Sequence, residues 1–268
     1  MSTSKFEAVL FDLDGTLLDT TEAILESFKH TIHHFTGRIP AEEEIRPYMG
    51  LPLRDQFSMF LPGNEDEACK VYVEHNLSIH KDRVRPFPGV QETLDALRKN
   101  GVITALVTSK RRETASHGLH IAGIENMFDA MVFYDDTKEH KPHPAPIIKA
   151  ITDVADRKHS NTPTKEMHVL FVGDSPTDID ATKNAQSALK DLSNQWDHRI
   201  CSERLQDLGN IRPFKNSMPH IVIESAGVTY GAYPEEVIQK AHPDYILTNI
   251  TQVLELCGLG LRKTISPG

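Results

Sequence analysis

Asp12 and Asp14 stand two residues apart where the apolar run Ala8-Val9-Leu10-Phe11 stops. The run is rich in strand formers, and Gly15 and Thr16 then break regular structure. A buried parallel strand here places Asp12 at its carboxyl end, the edge at which open α/β sheets hold ligands. Two carboxylates ~4 Å apart repel by roughly 4 kcal/mol at an effective dielectric of ~20, a cost that a cation between them offsets. Solvated turn residues are the alternative for an isolated D-x-D-G, because Asp and Gly are ordinary turn formers.

Three later stretches carry groups suited to the same chemistry. Val102 to Val107 is strand-like and runs into Thr108-Ser109. There a hydroxyl and the N–H of Ser109 can donate to phosphate oxygens. A helix cap is the plainer role for such a pair. Lys141, in His140-Lys141-Pro142-His143-Pro144, lies between a predicted strand and a predicted helix. The flanking prolines fix its backbone, so its ammonium can balance both a phosphate and a carboxylate. His143 has no such argument and is expected at the surface. The very apolar segment His168 to Val172 ends in Gly173-Asp174-Ser175-Pro176-Thr177-Asp178, adding two carboxylates. Oxygen ligands without His or Cys suit Mg²⁺.

The elements that must position these groups follow from periodicity. Ile24, Leu25, Phe28, Ile32 and Phe35 keep one helical face from about Asp19 to His34. Residues 41–48, 53–60 and 65–82 also read as helices, separated by Pro47, Gly50, Pro52, Pro62 and Gly63. No strand pattern interrupts residues 20–84, so an all-helical block follows the first strand. His30 and His34 have metal-ligand spacing, but position 31 is Thr, so no H-E-x-x-H site forms. From Val90 onward strands alternate with helices: helix 90–100, strand 102–107, helix 111–122, strand 130–133, helix 146–155 and strand 168–172. A short strand, Tyr245-Ile246-Leu247, and a helix 250–256 close the pattern. Such alternation implies βαβ units and a parallel sheet. The expected architecture is therefore α/β: a Rossmann-like parallel sheet with helices on both faces and an inserted helical domain. The core spans residues 1–18 and 85–268, and the helical cap spans 19–84.

The totals narrow the partners. The chain has 268 residues, 39% hydrophobic and 25% charged, as expected of a soluble globular protein. A net charge of −9 argues against nucleic acid or an anionic membrane as a main partner. Cys69, Cys201 and Cys257 are odd in number and widely spaced, which disfavours a disulfide framework or a zinc site. No secretory leader pattern and no long apolar run is present, so a cytoplasmic protein, monomeric or homodimeric, is expected. Gly258-Leu259-Gly260 follows a helix and lacks a third glycine, which excludes a nucleotide loop.

Taken in order, DLDGTLLDT, VTS, KP and GDSPTD each sit at a predicted strand end. That set resembles the four motifs of the haloacid dehalogenase superfamily of phosphohydrolases, across residues 4–18 and 85–185. The helical block between the first two motifs matches its helical-cap subgroup. Gly50-Leu51-Pro52-Leu53-Arg54 and Pro86-Phe87-Pro88-Gly89-Val90 look like phosphoglycolate phosphatases within it. The resemblance implies a phosphatase acting on a small phosphorylated metabolite. Asp12 is then the nucleophile, and Asp14 the general acid/base. Mg²⁺ is implied on the Asp12 carboxylate, the Asp14 carbonyl and Asp174, supported by Asp178. Thr108, Ser109 and Lys141 hold the phosphate, and Arg54 in the cap is the candidate reader of a second substrate anion. A phosphomutase of the β-phosphoglucomutase kind shares every core motif. A dehalogenase has no use for Asp14, and a non-catalytic phosphate-binding module has no use for the complete set.

One stretch departs from the resemblance. Forty-one residues, Gln186 to Ala226, separate Asn184-Ala185 from Gly227-Val228-Thr229-Tyr230-Gly231. Ala188, Leu189, Leu192, Trp196 and Ile200 suggest that the preceding helix runs on. A helix leaving a strand tip travels back towards the sheet's amino edge, so the insertion is expected away from the catalytic tips, in packing or self-association.

Overall fold

The computed structural model describes residues 4–155, 166–194, 203–206, 211–212 and 219–260. Six parallel strands form the central sheet: β1 (Ala8–Phe11), β4 (Ile103–Val107), β5 (Ala130–Val132), β6 (Glu166–Gly173), β7 (His220–Val228) and β8 (Tyr245–Leu247). Their order is β5-β4-β1-β6-β7-β8, the parallel α/β arrangement that the alternation predicts.

Side chains along a strand point to opposite faces, so one strand feeds two cores. Val9 and Phe11 pack with α5 (Val90–Lys99), α6 (Arg112–Ala122) and α9 (Gln252–Leu256) through Leu94, Leu119 and Leu254. Ala8 and Leu10 face the other way, onto Ile148 and Ile151 of α7 (Ala145–Ala155) and Leu189 of α8 (Pro176–Asn194). With both faces covered, the strands are apolar at nearly every position. This buries β1 completely and leaves its carboxyl tip as its polar end.

Between β1 and β4 lie α1 (Thr21–Thr36), α2 (Glu42–Ile45), α3 (Leu53–Phe60) and α4 (Glu65–Arg83). They enclose a separate apolar cluster built on Phe28, Ile32, Phe57 and Tyr72. Phe28 makes ring contacts with both Phe57 and Tyr72, at 4.8 and 5.1 Å between centroids. The predicted helix over 41–48 divides into α2 and a 3₁₀ turn, Arg46–Tyr48, where Pro47 cannot donate to continue an α-helix. The connector at Arg85-Pro86 is itself a strand, β3, antiparallel to β2 (Leu18–Asp19). The two chain segments joining the helical block to the sheet therefore run side by side.

α8 continues to Asn194, longer than the helix an ordinary crossover needs. Beyond it, Leu205 and Ile211 are buried with Met167 and Ile221, which lie near the amino ends of β6 and β7. These described parts of the insertion sit at the edge opposite the strand tips. Trp196 and Ile200, and the stretch from 213 to 218, lie outside the described residues. Among the described residues no helix is long and apolar enough to cross a membrane.

Candidate active site

Register brings the site together. Phe11 pairs with Leu106 on one side and Val172 on the other. The next residue, Asp12, is thereby set between the tip of β4, which leads to Thr108, and the tip of β6, which leads to Asp174. Its backbone N–H donates to the Val172 carbonyl at 2.9 Å. Lys141, from the loop after β5, reaches under this tip. Its ammonium donates to Asp12 Oδ1 and Asp178 Oδ1, both at 2.6 Å, and to the Val107 carbonyl at 3.3 Å. All three ammonium donors are used. The ammonium is buried, which works against its charge, yet Asp12 and Asp178 outweigh that and raise its pKa.

Asp12, Asp174 and Asp178 are buried together, with carboxylate oxygens within 4.8 Å of one another. Burial is the largest cause that pushes the Asp12 and Asp174 carboxyls above the usual range. Asp178 adds to it in both, and Lys141 opposes it. Three carboxylates share one ammonium, an excess of negative charge in a dry place. Asp178 has both oxygens engaged, Oδ1 by Lys141 and Oδ2 by the N–H and hydroxyl of Ser175 at 3.1 and 2.7 Å. Asp174 Oδ2 accepts from the Ala232 N–H at 2.8 Å. Oδ2 of Asp12 and Oδ1 of Asp174 have no hydrogen-bond donor among the described residues. An oxygen-only donor set with one open oxygen on each of two carboxylates fits a small hard divalent cation.

Asp14 lines the same cleft beyond Asp12, with Thr108, Ser109 and Lys141. Thr108 is buried, and its Oγ1 accepts from the Lys110 N–H at 3.1 Å. The Ser109 hydroxyl is buried without a partner among the described residues. Gly15 must be glycine here. Its φ is +79°, and a Cβ would lie 2.0 Å from Asp174 Oδ2. His143 accepts from the Ala145 N–H at 3.3 Å and does not join the cluster.

Arg54 stands at the rim of the cleft, half exposed, with Nε donating to Asp66 at 2.9 Å. The fold thus brings seven of the eight predicted residues to the strand tips, and Arg54 to the cap wall above them.

Two features were missed from sequence. Lys110 donates to Asp14 Oδ1 at 2.9 Å. The loop after β7 supplies the Ala232 N–H to Asp174, the Tyr230 hydroxyl to the Thr16 carbonyl, and the Tyr233 hydroxyl to the Met49 carbonyl in the helical block. The adjacency of Lys110 to Thr108 was the available signal for the first. Gly231 was the signal for the second, because a Cβ there would lie 2.4 Å from Asp174 Cβ and 2.6 Å from the Gly15 carbonyl oxygen. Gly231→Ala should accordingly lower kcat/KM by about tenfold or more by displacing Asp174. Steady-state kinetics on a variant with native circular dichroism checks this, and a loss under twofold would show that the loop yields.

Above the tips the cleft is walled by Ile24, Met49, Leu51, Leu53, Tyr72 and Val73 from the helical block. A buried carboxylate held by an ammonium, an acidic cluster and a second carboxylate in one covered cleft can carry out phosphoryl transfer.

Comparisons with known proteins agree with this geometry. The profile of the haloacid dehalogenase-like hydrolase family matches residues 9–189. The pyrophosphatase PpaX of Halalkalibacterium halodurans is 30% identical over 259 residues, covering 96% of this chain and all of that protein. The pyrophosphatase PpaX of Bacillus mycoides is 36% identical over 192 residues, covering 72% of this chain and 85% of the relative. Among solved structures, a predicted phosphoglycolate phosphatase from Haemophilus somnus aligns over 95% of this chain and 99% of its own, with a TM-score of 0.69 and 22% identity. A haloacid dehalogenase-like hydrolase from Streptococcus pneumoniae aligns over 93% and 97%, with a TM-score of 0.66 and 22% identity. At those identities the structures speak for the fold, whereas the profile spans all four strand-tip motifs. The chain belongs to the haloacid dehalogenase-like hydrolase family.

Proposed function

We propose that the protein is a Mg²⁺-dependent phosphatase that hydrolyses a small phosphorylated metabolite through an aspartyl phosphate on Asp12. The observation that carries this is the placement of Asp12: one oxygen fixed by Lys141 at 2.6 Å and the other without a donor among the described residues, in a cleft that Asp14 also lines. Bound by Asp12, the Asp14 carbonyl and Asp174, with Asp178 behind them, Mg²⁺ would offset the carboxylate charge and draw the phosphate in.

The chain's own groups do the rest. Asp12 attacks phosphorus in line, and the bond to the leaving oxygen breaks. Asp14 donates a proton to an alkoxide leaving group, and afterwards takes one from the water that opens the aspartyl phosphate. Lys141 holds Asp12 in position, while Thr108 and the Ser109 N–H can receive the equatorial oxygens as charge spreads over them. The helical cap, residues 19–84, keeps bulk water from the acceptor side during attack. The names of the relatives make inorganic pyrophosphate the first substrate to try, and the structural neighbours make phosphoglycolate the second.

A screen of phosphorylated metabolites with Mg²⁺, read by phosphate release, tests the proposal. Finding no turnover of any phosphate compound, p-nitrophenyl phosphate included, would defeat it. Arg54 tests the cap. If it leaves Asp66 to read a second anion, Arg54→Ala should lower kcat/KM about tenfold more for the best metabolite than for p-nitrophenyl phosphate. Equal losses would place its role in cap folding.

A further inference from the structure

Four cations line the cleft: Arg54, Lys110, Arg111 and Lys141. Lys141 has spent its three donors on Asp12, Asp178 and the Val107 carbonyl. Arg54 and Arg111 are half exposed at the rim, the first on Asp66 and the second over the Tyr134 ring, 4.0 Å from Asp135. Lys110 differs from all three. Its side chain is 12% exposed, and Asp14 Oδ1 at 2.9 Å is its only hydrogen-bond partner among the described residues. An ammonium carries three donors. Two of them therefore face the cleft unused, in a nearly covered position where water cannot freely replace a partner.

The position is built, not incidental. The Lys110 N–H donates to Thr108 Oγ1 at 3.1 Å, and its carbonyl accepts from the Tyr134 N–H at 3.1 Å. These bonds fix the backbone from which the side chain reaches Asp14. Among the described residues no acceptor other than Asp14 takes these donors. Burial first, and then Lys110 itself, push the nearby His80 down to about 4, and burial pushes the Tyr72 hydroxyl up, so both are neutral near pH 7. His80 Nε2 is committed to Asn76 and its Nδ1 to His117. The neighbouring cap wall, Ile24, Tyr72 and Val73, offers no charge.

We infer that Lys110 determines which leaving groups the enzyme accepts: its free donors receive a leaving group bearing an anion next to the scissile oxygen. This rests on the phosphatase reading above. The shared chemistry is a negative charge just beyond the bridging oxygen, supplied by the second phosphate of a phosphoanhydride or by the carboxylate of a short phosphorylated acid. For a phosphoanhydride the step balances without an acid. Asp12 forms the new O–P bond, the bond to the bridging oxygen breaks, and its electron pair leaves with the departing phosphate beside Lys110. Water then attacks the aspartyl phosphate, gives its proton to Asp14, and returns Asp12 as a carboxylate. On this route Asp14 acts only as the base of the second step.

The test compares Lys110→Met and Lys110→Arg with the unaltered protein on inorganic pyrophosphate, phosphoglycolate and p-nitrophenyl phosphate, the last having no second anion. Lys110→Met should lose at least about tenfold more kcat/KM on one of the two substrates that bear a second anionic group than on p-nitrophenyl phosphate. The substrate that suffers identifies the source of the anion, and Lys110→Arg should recover part of the loss. Equal losses on all three would assign Lys110 to holding Asp14 alone and overturn the proposal. So would an unaltered enzyme that prefers alkyl monoesters without a second charge. A binding measurement separates failure here from failure of the phosphatase reading. In Asp12→Asn protein with Mg²⁺, Lys110→Met should weaken methylenediphosphonate about tenfold more than orthophosphate, whatever the turnover. Equal weakening of the two would also overturn the inference.

Discussion

Asp12→Asn should yield a folded protein whose kcat on any phosphate ester is at least about a thousandfold below that of the unaltered enzyme. The amide has the shape of the carboxylate but no charge to attack phosphorus, so the covalent step is lost outright. The scaffold has reason to tolerate the change. Asp12 is 7% exposed, its neighbours Phe11 and Leu13 are completely buried, and its N–H stays bonded to Val172. The new side chain still offers Lys141 a carbonyl oxygen where Asp12 Oδ1 stands 2.6 Å away. One carboxylate also leaves a cluster in which burial already pushes Asp12 and Asp174 above the usual range. The melting temperature should therefore move by no more than about 5 °C. Steady-state rates with p-nitrophenyl phosphate and calorimetry check both halves. Retention of a tenth of kcat in the folded variant would refute nucleophilic attack by Asp12.

Most of what places Asp12 is local and could be seen before the fold was known. A fully covered parallel strand is apolar throughout, so its end is marked by the first charged residue. That holds for Asp12 after Ala8–Phe11 and for Asp174 after the strand that ends at Gly173. Lys141 could be placed by order alone, between the strand at 130–133 and the helix at 146–155. Its two partners could not, because Asp12 and Asp178 are 129 and 37 residues away and meet it only when β5-β4-β1-β6 is assembled.

Other contacts left no mark in composition or spacing. The Ala232 N–H that holds Asp174 is a backbone group, and any residue would supply it. Lys110 could be seen as one more charge after Thr108 and Ser109. Its partner Asp14 follows the neighbouring strand, β1, 96 residues away. Arg54 looked free in sequence because Asp66 belongs to a different helix, and only the packing of α3 on α4 brings them together. Helix boundaries within the block were legible where Pro and Gly stand. They failed at residues 46–48, where a proline tightened a turn instead of ending one.

Chelation with EDTA should abolish turnover, Mg²⁺ should restore it, and Ca²⁺ should restore it poorly. The reason is the charge count at the strand tips. Asp12, Asp174 and Asp178 meet within 4.8 Å, and the one ammonium among them is already divided between two of the three. A substrate phosphate brings further negative charge to the same point, next to the carboxylate proposed to attack it. At ~4 Å and an effective dielectric of ~20, each unscreened pair costs roughly 4 kcal/mol, so approach without a cation is strongly opposed. The donors are all oxygens and lie close together, which suits the short bonds and six-fold shell of Mg²⁺. Ca²⁺ takes longer bonds and more ligands, and would set nucleophile and phosphate apart. A measurement independent of turnover runs alongside. A cation that binds only the folded state at a hundredfold over its Kd adds about 2.7 kcal/mol. For a chain of this size that raises the melting temperature by roughly 5–10 °C. Asp174→Asn, with Oδ1 no longer part of a carboxylate, should lose most of that rise. Full activity in EDTA would dismiss the site as a metal centre. An equal thermal shift in the Asp174→Asn variant would place the cation elsewhere on the molecule.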